Sequence, residues 1–143
     1  MDKIQIDKGD FSYPMPVVLV GATVSGRPNF MAAAWVTWVN DDPALMGVCI
    51  DASHHTHVGI EAHGQFSVNL PGSDLVAATD YCGLVSGNNV DKSQCFEIFT
   101  GELEFAPMIK ACPLTMECRV RQSVSLPSDT LFIGEVVATY TEE

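Results

Sequence analysis

The run "NFMAAAWVTWV", residues 29–39, constrains the fold most, because almost every position in it is apolar. A strand with one solvent-exposed face alternates polar and apolar residues, and this run does not alternate. The runs "PVVLVGATV" (residues 16–24) and "ALMGVCI" (residues 44–50) are apolar in the same way. Strands of this kind are covered on both faces. We therefore predict a sheet that buries one face in a core and the other under a partner subunit or a flat ligand.

The remaining segments complete a mainly β pattern in one domain, residues 1–143, which is an ordinary length for a single domain. "QFSVNL" (65–70) and "LTMECRV" (114–120) alternate, and "TLFIGEVVATY" (130–140) is another strand after the turn "LPSD". We predict two short helices. The first spans "ASHHTHVGIEAHG", with Ser53 as its N-cap and Gly64 after its end. The second spans "SDLVAATDYCG", is capped by Ser73 or Asp74 and ends at Gly83. Six or more strands with two helices indicate a small closed or partly closed β-barrel.

Charge narrows the classes of partner. The chain has 18 acidic and 7 basic residues, a formal charge of -11, and its basic residues do not cluster. This excludes the electrostatic surface that nucleic acid or an anionic membrane requires. An anionic ligand would therefore be held by backbone N–H groups and hydroxyls more than by cations.

Cysteine usage and hydropathy bear on the compartment. No run approaches 18 apolar residues, and the start "MDKIQIDKGDF" lacks the basic and apolar segments of an export signal. The five cysteines form no C-x-x-C pair. We expect a cytoplasmic protein whose cysteines are reduced, buried thiols.

The stretch "SHHTH", residues 53–57, admits three interpretations. His54 and His57 could share a helix face in a zinc site, but His55 would point elsewhere and no pair of thiolates is near. A solvated first helical turn is the second interpretation. The third is an anion site, in which free N–H groups at the helix start act with the hydroxyls of Ser53 and Thr56. The third fits best, and we predict a phosphate site and no metal.

Three consecutive alanines, residues 32–34, leave the strand backbone open to close approach. They could pack under a helix, or a flat heterocycle could lie against them. Trp35 and Trp38 would point to opposite faces of a strand. The loop "DYCGLVSGNNVDKS", residues 80–93, brings glycines and the cation Lys92 near any ligand, although such a loop is also ordinary surface structure.

Five of these stretches together resemble the flavin reductase-like family of FMN-binding split barrels, in particular its flavoredoxin branch. The resemblance runs from about Tyr13 to Tyr140. It is carried, in order, by "GRPNFMAAAW", "SHHTHVGI", "FSVNLP", "DYCGLVSGNNVDK" and "TLFIGEV".

The resemblance implies a six-stranded Greek-key split β-barrel with a few short helices. It also implies a homodimer with one FMN per subunit, bound noncovalently near the interface. In this assignment Asn29 opens the flavin-binding strand, the phosphate segment contains Ser53, His54 and Thr56, and Asn69 lies under the cofactor. The other cofactor-binding residues would be Ala32, Ala33, Ala34, Trp35, Cys82, Ser86 and Lys92.

This chain departs from the family pattern in three places. The family often has a basic residue and an aromatic where this chain has His54 and His55, which predicts weaker phosphate binding. Many relatives have a histidine near the cofactor at the position of Asp129, whose negative charge would disfavour reduced flavin. The sequence ends at Glu143 where many relatives continue. A more open site is the expected result.

The function implied is that of an FMN-binding oxidoreductase or electron-transfer protein, in which the flavin carries the redox chemistry. No side chain is assigned as a catalytic acid or base. The G-x-G-x-x-G fingerprint is absent, so NAD(P)H would have to stack on the flavin without a Rossmann fold, and a carrier protein such as ferredoxin is another possible donor. The alternative is a non-enzymatic split-barrel dimer that stores or senses flavin.

Overall fold

Nine strands and two helices form the part of the chain that the structure, a computed structural model, describes: residues 1–9 and 13–142. The chain end at Glu143 lies outside it. The elements are β1 (Val18–Val24), β2 (Arg27–Ala33), β3 (Val36–Asn40), β4 (Leu45–Asp51), α1 (His55–His63), β5 (Gln65–Leu70), α2 (Val76–Leu84), β6 (Ile98–Phe99), β7 (Met108–Ile109), β8 (Leu114–Ser125) and β9 (Asp129–Thr141). Short 3-10 turns span Ser73–Leu75 and Lys92–Cys95.

Seven of the strands form one antiparallel sheet in the order β2-β1-β5-β8-β9-β4-β3, and β6 pairs with β7. The mainly β split-barrel class is confirmed, but the strand count differs from the predicted six. The apolar run 30–39 is interrupted at Ala34 and Trp35, so that it supplies two strands. These two strands, β2 and β3, form opposite edges of the sheet and leave the barrel open between them.

A tight turn at residues 25–26 joins β1 to β2. Ser25 has φ 49° and Gly26 has φ 78°. Two positive φ values in a two-residue loop match the backbone twist of a hairpin, and glycine adopts this conformation without strain. The hairpin fixes the register that places Asn29 opposite Ala22.

The sheet curls around one core. Alternate residues of β1 point into it together with residues of β4, β5, β8 and β9, and Ile60 of α1 closes it. The other face of β1 is also buried, because Leu19 packs with Phe30, Cys82 and Ile109. The chain's own helix α2 and strand β7 therefore cover this face of β1. By contrast, β3 leaves Trp38 57% and Val39 42% exposed.

The helix boundaries correct three sequence expectations. His54, not Ser53, is the N-cap of α1, and α2 begins at Val76 after the 3-10 turn, so neither Ser73 nor Asp74 caps it. Gly83 lies inside the last turn of α2 and does not end it. Gly64, with φ 64°, does terminate α1 as predicted. Neither helix of the described residues is long or apolar enough to cross a membrane.

Candidate functional site

The beginning of α1 offers unused hydrogen-bond donors. After β4 the chain turns, and the N–H of His54 donates to the carbonyl of Asp51. The Asp51 carboxylate accepts from the N–H of Ser53, and hydrogen bonds from the Ser53 side chain and backbone hold the pKa of Asp51 below its usual value. No side chain caps the helix. The N–H of His57 donates to the carbonyl of His54, so the first-turn N–H groups left for an anionic ligand are those of His55 and Thr56.

A buried hydrogen bond connects this helix start to β2. The Asn29 side-chain N–H donates to the Thr56 hydroxyl oxygen over 2.8 Å, and the two residues are only 4% and 1% exposed. Because the Thr56 oxygen accepts this bond, the hydroxyl proton remains available for another acceptor. Asn29 thereby orients Thr56 as a donor.

Asn29 and Thr56 line a cleft of about 220 Å³ between β2, the start of α1 and the end of α2. Five more predicted site residues line the same cleft: Ala32, His54, Cys82, Ser86 and Lys92. Three segments distant in sequence therefore meet there. The described chain thus brings seven of the thirteen predicted residues to one place.

Six residues of the cleft were not assigned to the cofactor from the sequence: Met31, His55, Gly83, Leu84, Val85 and Gly87. Of these, the glycines of the loop 80–93 were expected near a ligand, and His55 was considered in the phosphate segment. Gly87 is required by packing, since a Cβ there would clash with Asn29 Oδ1 and with the His55 ring. The glycine in "VSGNN" was the available signal for this close approach.

Three predicted residues do not line this cleft, and their assignment to the cofactor stays a prediction. Asn69 is completely buried; it donates to the Leu19 carbonyl and the Ser67 hydroxyl, and it accepts from the Ile109 N–H. Its side chain is therefore hydrogen-bonded inside the protein and is not exposed in the described chain. Ser53 is exposed outside the cleft, because the turn from β4 points it into solvent.

Asp129 is the third predicted residue that lies outside the cleft. It begins β9 and pairs with Asp51 across the β4–β9 ladder, because the turn "LPSD" leads directly into the strand. It does not line the cleft, and its hydrogen-bond partner is the adjacent Ser128.

The alanine stretch reaches the cleft only at its start. Ala32 lines it, Ala33 ends β2, and Ala34 and Trp35 connect β2 to β3. The Trp35 side chain is 47% exposed, and its carbonyl accepts from the Cys49 N–H. The last three residues of this stretch therefore lie beyond the cleft, toward the open edge of the barrel.

Two further cavities adjoin the cleft. A side cavity of about 350 Å³ shares Asn29, His55 and Lys92 with it and is lined mainly by polar residues of the loop 87–91 and the β1–β2 turn. An apolar cavity of about 610 Å³ lies on the other side and shares Ala32, Gly83 and Leu84. The Ala32 methyl group is 3.4 Å from the position of a Cβ on Gly83. The partition between cleft and apolar cavity is therefore thin.

The histidines do not converge. His54 and His55 line the cleft, whereas His57 turns inward, shares a 2.8 Å hydrogen bond with Thr130 and lies 5.2 Å from the Phe132 ring. Across residues 1–9 and 13–142, no three His, Cys, Asp or Glu side chains form a group that could hold a metal ion. This geometry favours the anion interpretation of "SHHTH" over the zinc interpretation.

Two titratable groups of the cleft are perturbed by burial. Burial raises the pKa of the Cys82 thiol to about 11, against the opposing influence of Lys92. Burial also lowers the pKa of Lys92, whose ammonium group donates to the carbonyls of Cys82 and Val85. The thiol is therefore neutral near pH 7 and is not an activated nucleophile.

Comparisons with known proteins show the family and the fold. A model of the flavin reductase like domain matches residues 11–143. The chain is similar to flavoredoxin from Methanosarcina acetivorans, known from a crystal structure, with 52% sequence identity and a TM-score of 0.98. The match covers 100% of this chain and 77% of the flavoredoxin chain. It is 27% identical to an FMN-binding protein from Thermus thermophilus solved with bound 1-cyclohex-2-enone; the TM-score is 0.88, and the match covers 99% and 80% of the two chains.

A curated relative is also similar. It is the FMN reductase (NADH) of Stutzerimonas stutzeri, 28% identical over 121 residues, which are 83% of this chain and 67% of the relative. Each of these proteins resembles the chain over most of its length.

Proposed function

Because the chain belongs to the flavin reductase-like family, we propose that it is an oxidoreductase or electron-transfer protein that binds FMN noncovalently, one per subunit. The family and its solved relatives support a flavin-binding redox function. The observation that carries the choice of FMN is the uncapped start of α1, with the Thr56 hydroxyl oriented by Asn29. It gives a phosphate group several donors in one place.

The phosphate of FMN would lie in the cleft, against the start of α1. The first-turn N–H groups and the Thr56 hydroxyl would donate to it, and the positive end of the helix dipole would add to the attraction. Such donors suit a chain with a charge of -11, because they bind an anion without a cluster of cations. Gly87 supports the assignment, since the missing side chain lets the loop close against Asn29.

The isoalloxazine ring would extend from the cleft past Ala32. Alanine side chains at positions 32–34 allow a flat ring to approach the backbone, and Trp35 lies exposed beyond them. The neighbouring apolar cavity, with Val17, Val76 and Leu84 at its walls or rim, offers apolar surface of the kind that ring sites use. Flavin, when bound, supplies the two-electron chemistry, and the protein binds and orients it.

We further propose a homodimer built on the exposed edge strand β3. Trp35, Trp38 and Val39 are 47%, 57% and 42% exposed, and large apolar side chains of this kind form the centres of protein interfaces. The edge of β3 also has unpaired backbone groups, which an interface would cover. We place this dimer in the cytoplasm, where the five cysteines would stay reduced.

The electron donor is proposed from the relatives. The Stutzerimonas stutzeri relative is named as an NADH-dependent reductase, and we propose NAD(P)H for this chain, with a carrier protein such as ferredoxin as the alternative.

The test is an absorbance spectrum of the purified protein with FMN, recorded before and after NADH or a reduced carrier is added. Loss of the oxidised-flavin absorbance establishes an enzyme or carrier. Bound flavin that neither donor reduces would favour the sensing dimer instead.

A further inference from the structure

Lys92 is an unusual lysine, because it is almost completely buried without a carboxylate partner. It is 3% exposed. Its ammonium group donates to the carbonyl of Val85 over 3.0 Å and to that of Cys82 over 3.3 Å. In the part of the chain that the structure describes, the two lysine and arginine ion pairs involve Lys110 and Arg121, not Lys92. A buried charge is costly unless hydrogen bonds satisfy it, so these two carbonyls explain where the ammonium group lies.

These carbonyls belong to the wall of the cleft. Cys82 is in the last turn of α2 and Val85 is its C-cap, so both carbonyls lie at the negative end of the helix dipole. The segment 82–87 forms one side of the cleft, and it continues into Gly87, which packs against Asn29 and His55. By holding two points of this segment, Lys92 ties the α2 wall to the 3-10 turn at residues 92–95.

The local sequence gives Lys92 its position. Asp91 caps the 3-10 turn Lys92–Cys95, accepting from the N–H and the hydroxyl of Ser93 at 3.0 and 2.6 Å. Phe96, just after the turn, packs edge-on against Phe30 at 5.4 Å between ring centroids. The turn is therefore capped at its start and packed against β2 just after its end, and from it the lysine side chain extends to the end of α2.

We propose that Lys92 is a positioning residue of the flavin site: its ammonium group holds the wall 82–87 through the carbonyls of Cys82 and Val85 and does not pair with the phosphate of the flavin. This inference rests on the proposed function. It differs from the sequence-based expectation that Lys92 is one of the cations that bind the cofactor directly. If it is correct, Lys92 contributes equally to the binding of flavins with and without a phosphate.

The experiment compares FMN with riboflavin, which lacks the phosphate. Dissociation constants of both are measured by flavin fluorescence quenching for the wild type, Lys92→Met, Lys92→Gln and the control Lys110→Met. Lys110 is a 54% exposed lysine paired with Glu97, outside the cleft. Methionine removes the donors of Lys92, and glutamine replaces the ammonium group with a neutral N–H donor. Visible circular dichroism of the bound flavin reports how the ring is held.

We expect Lys92→Met to weaken FMN and riboflavin alike, each by about tenfold, because the wall loses two charge-assisted hydrogen bonds. The flavin dichroism should change with it. Lys92→Gln should recover part of both affinities, and Lys110→Met should change neither.

A loss confined to FMN, equally large in Lys92→Met and Lys92→Gln, would overturn the inference and assign Lys92 to the phosphate. Unchanged affinity for both ligands would overturn it too. Both ligands are measured on one preparation, so the ratio of the two constants does not depend on the folded fraction; if Lys92→Met does not fold, Lys92→Gln gives the same ratio. A wild type that binds neither flavin would refute the proposed function itself, which is a distinct result.

Discussion

Replacing Thr56 with valine tests the phosphate site most sharply. Valine keeps the shape of threonine and removes the hydroxyl, so the 1% exposed side chain leaves no cavity. A hydrogen bond to a charged group contributes about 1.5–3 kcal/mol, so its loss should weaken FMN binding about ten- to hundredfold. Riboflavin has no phosphate and should bind with nearly unchanged affinity.

The same change has a cost in stability. In the wild type the Asn29 side-chain N–H donates to the Thr56 hydroxyl oxygen over 2.8 Å, and the substitution leaves this buried N–H without an acceptor. An unpaired buried donor costs about 1–3 kcal/mol of the free energy of unfolding. Urea denaturation of the variant without flavin measures this loss separately from binding.

Two controls accompany the assay, which titrates each flavin by fluorescence quenching. Thr56→Ser retains the hydroxyl and should retain most of the preference for FMN. Thr100→Val removes an exposed hydroxyl from a threonine that does not line the cleft, and it should change nothing. Equal weakening of FMN and riboflavin by Thr56→Val would refute the assignment of the phosphate to this helix start.

Four other predictions follow from particular contacts. Asp129→Asn should leave the flavin midpoint potential unchanged within error in a potentiometric titration, because Asp129 does not line the cleft; a rise of some tens of millivolts would place the ring near the β4–β9 ladder after all. The hydrogen bond from the Tyr140 hydroxyl to Glu117, at 2.7 Å, raises the pKa of Tyr140 above its ordinary value of 10.0. The stabilisation from this bond is therefore complete below about pH 10 and is lost as the pH rises through the higher pKa of the folded state. In an ultraviolet pH titration, Tyr140→Phe should remove the latest tyrosine ionisation, and an unchanged curve would contradict this. Cys95, which is exposed, should react first with a thiol reagent at pH 8, and all five cysteines should react after unfolding; several equally fast thiols in the folded protein would be the opposite result. Finally, Trp38→Glu should convert a dimer to a monomer in sedimentation equilibrium, and a wild-type monomer at micromolar concentration would disprove the proposed interface.

Sequence patterns predicted those parts of the fold that depend on local periodicity. The strands at residues 18–24, 45–51 and 65–70 and the glycine end of α1 are where the pattern indicated. The interruption at Ala34 and Trp35 was not predictable, because alanine and tryptophan continue an apolar run. Only the different hydrogen-bond partners of β2 and β3, which pair with β1 and β4, divide it.

In the candidate site, too, contacts between residues distant in sequence could not be predicted. Thr56 and Asn29 were predicted separately, but their hydrogen bond joins residues 27 positions apart and cannot be seen in the sequence. The family resemblance placed Asn69 under the cofactor, and alternation in "QFSVNL" puts it on the face opposite Phe66, Val68 and Leu70. In the structure that second face is buried as well, and Asn69 holds Leu19 and the strand β7 instead. Strand alternation distinguishes the two faces of a strand, but it does not show which of them is exposed to solvent.

The most direct test of the central claim is the stoichiometry and selectivity of flavin binding by the wild-type protein. We predict that apoprotein titrated with FMN binds one flavin per chain, with a change in the visible spectrum, and binds riboflavin at least about tenfold more weakly. A protein that binds neither flavin, or binds both with equal affinity, would contradict a flavin site built on the phosphate donors of α1.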